Sequence, residues 1–315
     1  MKELSNKIIW VTGATSMIGR TVVENLQLEG CKVYGTNSNV NLMDDADICY
    51  MLGVRHYDAI IHCAGYNGGI QFNDNFPATI YFKNATMALK LLHYARIYGV
   101  KKVVSILPSC AYADMGSKVY TEQDFETGPS NSSVRCHGHA KRVLYDFSLN
   151  MYKQYKFNSV CAVANNSYGP FDSTRLHKTK VVMAAIKKIV DAKKDGVKSV
   201  EFFGTGAPKR SFVYCADVGK SLVQILKYYD DPTSVINIDS GEEVSIKELV
   251  DTIATLVGYE GKIVFDTTKP DGQMRKLLDN TKLNNLCKID YTPLETGLKQ
   301  TIDWYRNKNE NSLLS

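Results

Sequence analysis

No CxxC pair occurs among the eight cysteines, and several, such as Cys63 and Cys161, sit inside apolar runs. That pattern excludes a zinc ribbon and argues against a disulfide framework; it fits a reducing compartment. No apolar run approaches the length of a membrane span. The polar stretch from Met1 to Lys7 leads straight into an apolar segment, so no secretory leader is expected, and the chain reads as cytoplasmic. No dense Lys/Arg block is present, and the formal net charge is only +5. A mild positive balance suits an anionic small molecule better than nucleic acid. The run Lys187, Lys188, Lys193, Lys194 and Lys198 reads as a solvated helix face. No internal repeat and no low-complexity segment is visible.

What is there is ample core material. The 315 residues are 44% hydrophobic and 23% charged, enough for one large domain or two ordinary ones. Ile8–Thr12, Lys32–Thr36, Asp58–Cys63, Lys101–Ile106 and Ser159–Ala164 read as buried strands. Helical patterns separate them at 18–28, 78–98 and 141–155. Strands alternating with helices predict an α/β fold with a doubly wound parallel sheet over residues 1–170. Beyond residue 170 the alternation loosens. Helices are expected at 181–192, 217–228, 245–257 and 294–307, with strands at 199–203 and 235–239. Residues 171–315 therefore read mostly as a smaller α/β substrate-binding lobe, with later segments returning to the sheet and a frayed tail from Lys308.

The most informative junction is Thr12-Gly13-Ala14-Thr15-Ser16-Met17-Ile18-Gly19, between the first strand and the first helix. Gly13 permits a tight turn, and Gly19 permits close helix–strand packing. The free amides of the helix N-terminus then face an anion such as a pyrophosphate. Thr15, Ser16, Met17 and Ile18 complete the expected cradle, although Ser16 stands where the dinucleotide fingerprint has its middle glycine. The competing reading is an ordinary strand-to-helix turn. After the second strand, where a carboxylate would hold a ribose 2′-hydroxyl, the chain has Asn37 and Ser38. NADP is therefore favoured, and NAD remains open.

From about residue 60 the chain resembles the GDP-L-fucose synthase family, extended short-chain dehydrogenase/reductases of Rossmann type. The matching runs are His62-Cys63-Ala64-Gly65, Asn67-Gly68-Gly69-Ile70, Asn84, Ser109-Cys110-Ala111-Tyr112, Gly128-Pro129 with Ser132-Ser133, and Ala140-Lys141-Arg142. Asn166 to Asp172, Gly204 to Arg210 and Lys269 to Asp279 follow, the last being the most specific. The resemblance implies an NADPH-dependent 3,5-epimerase and 4-reductase acting on a GDP-4-keto-6-deoxymannose. It adds Ala64, Gly65, Lys141 and Asn165 to the cofactor site. It assigns Asn166, Phe203, Lys209, Arg210, Asp271, Arg275 and Lys276 to the sugar nucleotide, the cations suiting its diphosphate. It also implies a homodimer through the helices at 78–98 and 141–155. No metal is implied.

Three of the family's chemical positions are altered. The Tyr-xxx-Lys pair that supplies a proton for carbonyl reduction lies on one helix face. Here Lys141 is present, but the tyrosine position is His137. The serine that holds the substrate carbonyl is replaced by Pro108, leaving Ser109 beside it. The epimerisation base is matched by Cys110, and its partner histidine is replaced by Lys180, with His177 nearby. A histidine next to an ammonium is held neutral at pH 7 and is a poor acid toward an alkoxide. Ketone reduction is expected to be slow, acid-shifted or absent. Three readings stay open at this level: a reductase/epimerase with a rearranged acid set, an epimerase without net reduction, and a silent nucleotide-binding subunit of an active relative.

Overall fold

A computed structural model describes residues 1–311 apart from 117, 176 and 177. Its first half is laid down by strands β1 (Ile8–Thr12), β2 (Lys32–Thr36), β3 (Ala59–His62), β4 (Lys102–Pro108) and β5 (Asn158–Ala164). The helices α1 (Met17–Leu28), α2 (Asp45–Gly53), α3 (Ile70–Asn75), α4 (Pro77–Ile97) and α5 (Arg135–Tyr155) intervene. The second half follows with β6 (Asn166–Tyr168), α6 (Val181–Lys194), β7 (Ser199–Phe203), β8 (Lys209–Tyr214), α7 (Cys215–Tyr228) and β9 (Ile236–Ile238). It closes with β10 (Glu243–Ser245), α8 (Ile246–Val257), β11 (Lys262–Asp266), β12 (Arg275–Lys276), α9 (Thr281–Leu286) and α10 (Leu294–Asn311).

Strands β2-β1-β3-β4-β5-β9 form one parallel sheet, the doubly wound arrangement expected from the sequence. β3 and β4 are buried on both faces, as parallel strands between helical layers must be. One face carries α4 and α5 over a core that includes Trp10, Leu91, Leu144 and Val163. The other carries α1 and α7 over Val11, Val22, Val104 and Leu222. The chain order reverses beside β1, so the carboxyl ends of β1, β3, β4 and β5 open onto one crevice. A third core, around Ile186, Phe212, Leu249 and Leu298, holds the later elements together.

Helix α5 begins at Arg135, not at Lys141 as the sequence pattern suggests. His137, Gly138 and His139 are weak helix formers, but a 3-10 turn at Ser132–Val134, capped by the Asn131 side chain, starts the coil early. Its buried face then runs through His137, Lys141, Leu144, Ser148 and Met151. The lysines of α6 form the solvated face expected, Lys188, Lys193 and Lys194 being exposed, with some of their ammoniums also meeting neighbouring elements. Lys187 bonds Asp191 and Tyr305, Lys188 reaches the Glu201 carbonyl, and Lys193 caps the Val257 carbonyl. Neighbouring elements pack close enough to capture these ammoniums. Of the tail expected to fray from Lys308, α10 continues to Asn311, and 312–315 lie outside the described residues. Among the described residues no helix is long and apolar enough to cross a membrane.

Candidate active site

The first wall of the crevice is the glycine turn. Gly13 has φ +67°, and a Cβ on Gly19 would stand 2.1 Å from the Gly13 carbonyl oxygen, so both positions exclude a side chain. Ser16 caps α1 by accepting from the Gly19 amide at 3.1 Å. It thus takes up the turn geometry that a middle glycine would give. No acidic residue stands in the first turn of α1 to compete with an anion. Gly35 on β2 lies against Ala14, where a Cβ would come to 2.7 Å. Beyond β2, the Asn37 amide donates to the Asn39 side chain and the Asn39 amide to that of Asn37, which shapes an exposed loop around Ser38.

The second wall is the end of β3. His62 is buried, with Nδ1 2.8 Å from the Thr12 hydroxyl, and that hydroxyl accepts from the Ala64 amide at 3.3 Å. His62 Nε2 has no partner. Burial, helped by the Lys141 ammonium, drives its pKa well below the usual value. Asn84 on α4 holds the following loop: Nδ2 donates to the Tyr66 carbonyl and Oδ1 accepts from its amide. Ala64 and Gly65 lie between these anchors, and a Cβ built on Gly65 would come within 3.9 Å of Lys141 Nζ.

Ser109, Cys110 and Ala111 form a 3-10 turn at the end of β4. Helix α5 presses on that turn because Gly138 has no side chain; a Cβ there would stand 2.4 Å from the Cys110 carbonyl oxygen. The approach sets Cys110 Sγ 3.8 Å from His137 Nδ1. Arg142, one turn beyond Gly138, ties the loop down through the Ala111 and Gly128 carbonyls. His137 is buried and its Nε2 has no partner among the described residues. Burial first, then the ammoniums of Lys141 and Lys180, lower its pKa to about 3. Lys141 is buried too, and its pKa falls to about 8. Burial raises the Cys110 thiol, against the opposing pull of Lys276 and Lys180. Lys180 is exposed just before α6. His177 lies outside the described residues.

The third wall comes from the later strands. β12 pairs with β8 so that Arg275 faces Lys209 across the ladder and Lys276 faces Arg210. Arg275 is held by Glu243 at 2.7 Å. Burial lowers the Lys276 pKa, with the Cys110 side of the crevice its main opposing influence. Asn165 donates to Asp239 at 2.6 Å and Asn166 to the Ser211 carbonyl at 2.9 Å. Asp271 accepts from the Thr205 amide and hydroxyl, which fixes the Gly204 turn, and Phe203 at the end of β7 is 68% exposed. The structure therefore brings His137, Lys141, Cys110 and Gly65 to one point, with Lys276 and Lys180 coupled to Cys110. Asp271 and Arg275 are already engaged by protein partners. Sequence reasoning missed Asp172, whose Oδ2 is buried without a partner and whose pKa burial raises. It also missed Gly138, although a glycine between two histidines at a helix start was the available signal.

Chemically, this crevice is cationic. It offers a neutral imidazole, a protonated thiol and a buried ammonium near the glycine turn. Among the described residues no three His, Cys, Asp or Glu side chains converge to hold a metal.

Comparison with known proteins places the chain. The model of the NAD dependent epimerase/dehydratase family matches residues 9–239. The GDP-L-fucose synthase of Sinorhizobium fredii (strain NBRC 101917 / NGR234) is 34% identical over 304 residues, covering 96% of each chain. The GDP-L-colitose synthase of Yersinia pseudotuberculosis is 29% identical, covering 96% of this chain and 99% of its own. The crystal structure of a GDP-L-fucose synthetase from Naegleria fowleri bound to NADP superposes with a TM-score of 0.88 at 26% identity, covering 98% and 97%.

Proposed function

We infer the function from kinship: the chain belongs to the NAD dependent epimerase/dehydratase family and, within it, to the GDP-L-fucose synthases. It is an NADP-dependent enzyme that modifies a GDP-linked sugar. We further propose that it reduces a 4-keto sugar, and epimerises it next to the ketone, with an altered acid/base set. Nothing in the comparisons favours the epimerase-only enzyme or the silent subunit.

In this reading the dinucleotide lobe spans residues 1–170 and the sugar-nucleotide lobe mostly 171–315. The side-chain-free cradle at Gly13, Gly19 and Gly35 fits a dinucleotide. The turn from Gly13 through Thr15, Ser16, Met17 and Ile18 to Gly19 holds the pyrophosphate, and Asn37 and Ser38 face the 2′-phosphate. Ala64, Gly65, Lys141 and Asn165 line the nicotinamide half. When bound, the reduced cofactor supplies a hydride to the sugar carbonyl. Asn166, Phe203, Lys209, Arg210, Asp271, Arg275 and Lys276 form the sugar-nucleotide side, where paired cations neutralise a diphosphate. Cys110 takes the family's position for removing a proton beside the ketone, a step that needs its thiolate form rather than the protonated resting thiol, and Ser109, buried at the same turn, is the available hydroxyl for the carbonyl. Lys180 takes the partner-acid position. The working enzyme is a cytoplasmic homodimer; eight free cysteines and the exposed Tyr81 and Phe82 of α4 support that part.

One observation carries this reading: a cationic crevice in which the glycine turn and Cys110 share the carboxyl edge of one sheet and α5 brings Lys141 to the same edge. The test is purified protein with NADPH and GDP-4-keto-6-deoxymannose in deuterated water. NADPH consumption with deuterium at C3 or C5 is expected. Binding of NADPH with neither signal refutes the enzymatic reading for this substrate class.

A further inference from the structure

The site has lost the tyrosine that delivers the proton in its family, and the replacement on the helix is not an acid. The Cys110 thiol lies 3.8 Å from His137 Nδ1, and burial keeps that thiol protonated. With the thiol as donor, Nδ1 accepts and the ring hydrogen sits on Nε2. That Nε2 is buried and meets no acceptor among the described residues. His137 is therefore a neutral N–H donor whose hydrogen those residues leave unclaimed. It can hold an oxygen but has no spare proton to give at neutral pH. The nearby buried tyrosines are committed elsewhere, Tyr112 to Asn237 and Tyr168 to the Leu294 carbonyl.

One turn along the same buried face stands Lys141. Its ammonium is buried beside Gly65, at the end of β3. The titratable groups around it are His62 at the end of β3 and Cys63 just after it, Cys110 from the turn after β4, Cys161 from β5, and His137 from its own helix. Among the described residues none is a carboxylate. A buried ammonium with no counter-ion releases a proton readily.

We propose that Lys141 is itself the proton donor to the sugar oxygen, with His137 holding that oxygen through its neutral Nε2–H. The inference rests on the reductase reading given above. As the carbonyl carbon accepts the hydride of the reduced nicotinamide, an N–H bond of the Lys141 ammonium breaks and an O–H bond forms on the substrate oxygen. Lys141 is left as a neutral amine and is reprotonated from water.

The pH behaviour separates this donor from an imidazolium. Lys141 is protonated below about pH 8, so kcat stays level up to there and then falls tenfold per pH unit. With His137 as the acid, kcat would fall tenfold per unit from about pH 3 upward, through the whole neutral range.

The experiment pairs a ligand-free measurement with kinetics. In the protein without cofactor, lysine 13Cε resonances are followed against pH, and the Lys141 signal is assigned by its loss in Lys141→Arg, or in Lys141→Met should the arginine variant not fold. One resonance titrating near pH 8 is expected. With NADPH and the GDP-4-keto sugar, Lys141→Arg is expected to bind NADPH but to lose kcat at least 100-fold together with the alkaline limb, because arginine cannot deprotonate. His137→Gln is expected to be slower with its limb unmoved. A Lys141 resonance titrating near pH 10, or a limb that survives in Lys141→Arg or shifts in His137→Gln, overturns the proposal and leaves the reductase reading standing. Absence of turnover in the unmodified protein at every pH overturns both.

Discussion

Replacing Gly138 by alanine tests whether the approach of α5 to the Cys110 turn is what builds the site. The added methyl would stand 2.4 Å from the Cys110 carbonyl oxygen and 2.7 Å from Ser130 Oγ. An ordinary contact is about 3.5 Å, so helix or turn must yield by about 1 Å. Ser130 can rotate away, but the carbonyl belongs to backbone fixed by Arg142. Overpacking of this kind costs about 1–3 kcal/mol, offset by about 1 kcal/mol of helix propensity gained over glycine. The net expectation is a loss of up to about 2 kcal/mol, a fall in Tm of up to about 3 °C for a chain of this length. The separation of His137 from Cys110 should open at the same time, giving faster alkylation of Cys110 by iodoacetamide. Gly53→Ala is the control, because its Cβ would meet nothing nearer than Tyr98 at 3.6 Å and should be neutral or stabilising. If Gly138→Ala melts at or above the unmodified protein with Cys110 no more reactive, the close-approach argument is wrong.

Two further perturbations probe buried charge. Lys102 Nζ donates to the Ile225, Leu226 and Tyr229 carbonyls and to Asp230; Lys102→Met strands the end of α7 and should cost about 3 kcal/mol in urea unfolding, while NADPH affinity stays the same because the site is at the other end of β4. Unchanged stability would refute it. His62 and His137 are held neutral when folded, whereas an unfolded histidine takes up a proton below about pH 6.5. Because the unfolded state then binds more protons, stability falls as pH drops from about 6.5 to 4.5, approaching about 1.4 kcal/mol per unit for each histidine. His137→Gln should remove one of the two contributions. A flat stability profile across that window would contradict the burial of both rings.

Local signals were readable in the sequence; convergent ones were not. Gly13 and Gly19 are visible because a turn and a close packing each demand a missing side chain. The central strands of the first sheet are visible because burial on both faces demands unbroken apolar runs. The start of α5 was hidden, since histidine and glycine carry no helix signal and only the capped turn before them sets it. The neutralisation of His137 could be guessed from Lys141 one turn away. Its contact with Cys110 could not, because residues 27 apart meet only through the packing of a helix on a strand end. The same holds for Asp172, which looks like any loop aspartate until its carboxylate is found buried.

The pairing of β12 with β8 has a consequence for how the protein comes to be. Lys209 and Arg210 gain Arg275 and Lys276 as neighbours only when a segment about 65 residues later docks in register. On the proposed assignment, the Gly13 turn at the start of the chain can fold during synthesis long before the proposed diphosphate clamp exists. A nascent or truncated chain should therefore take up its dinucleotide first and stay blind to the sugar until the last quarter has left the ribosome.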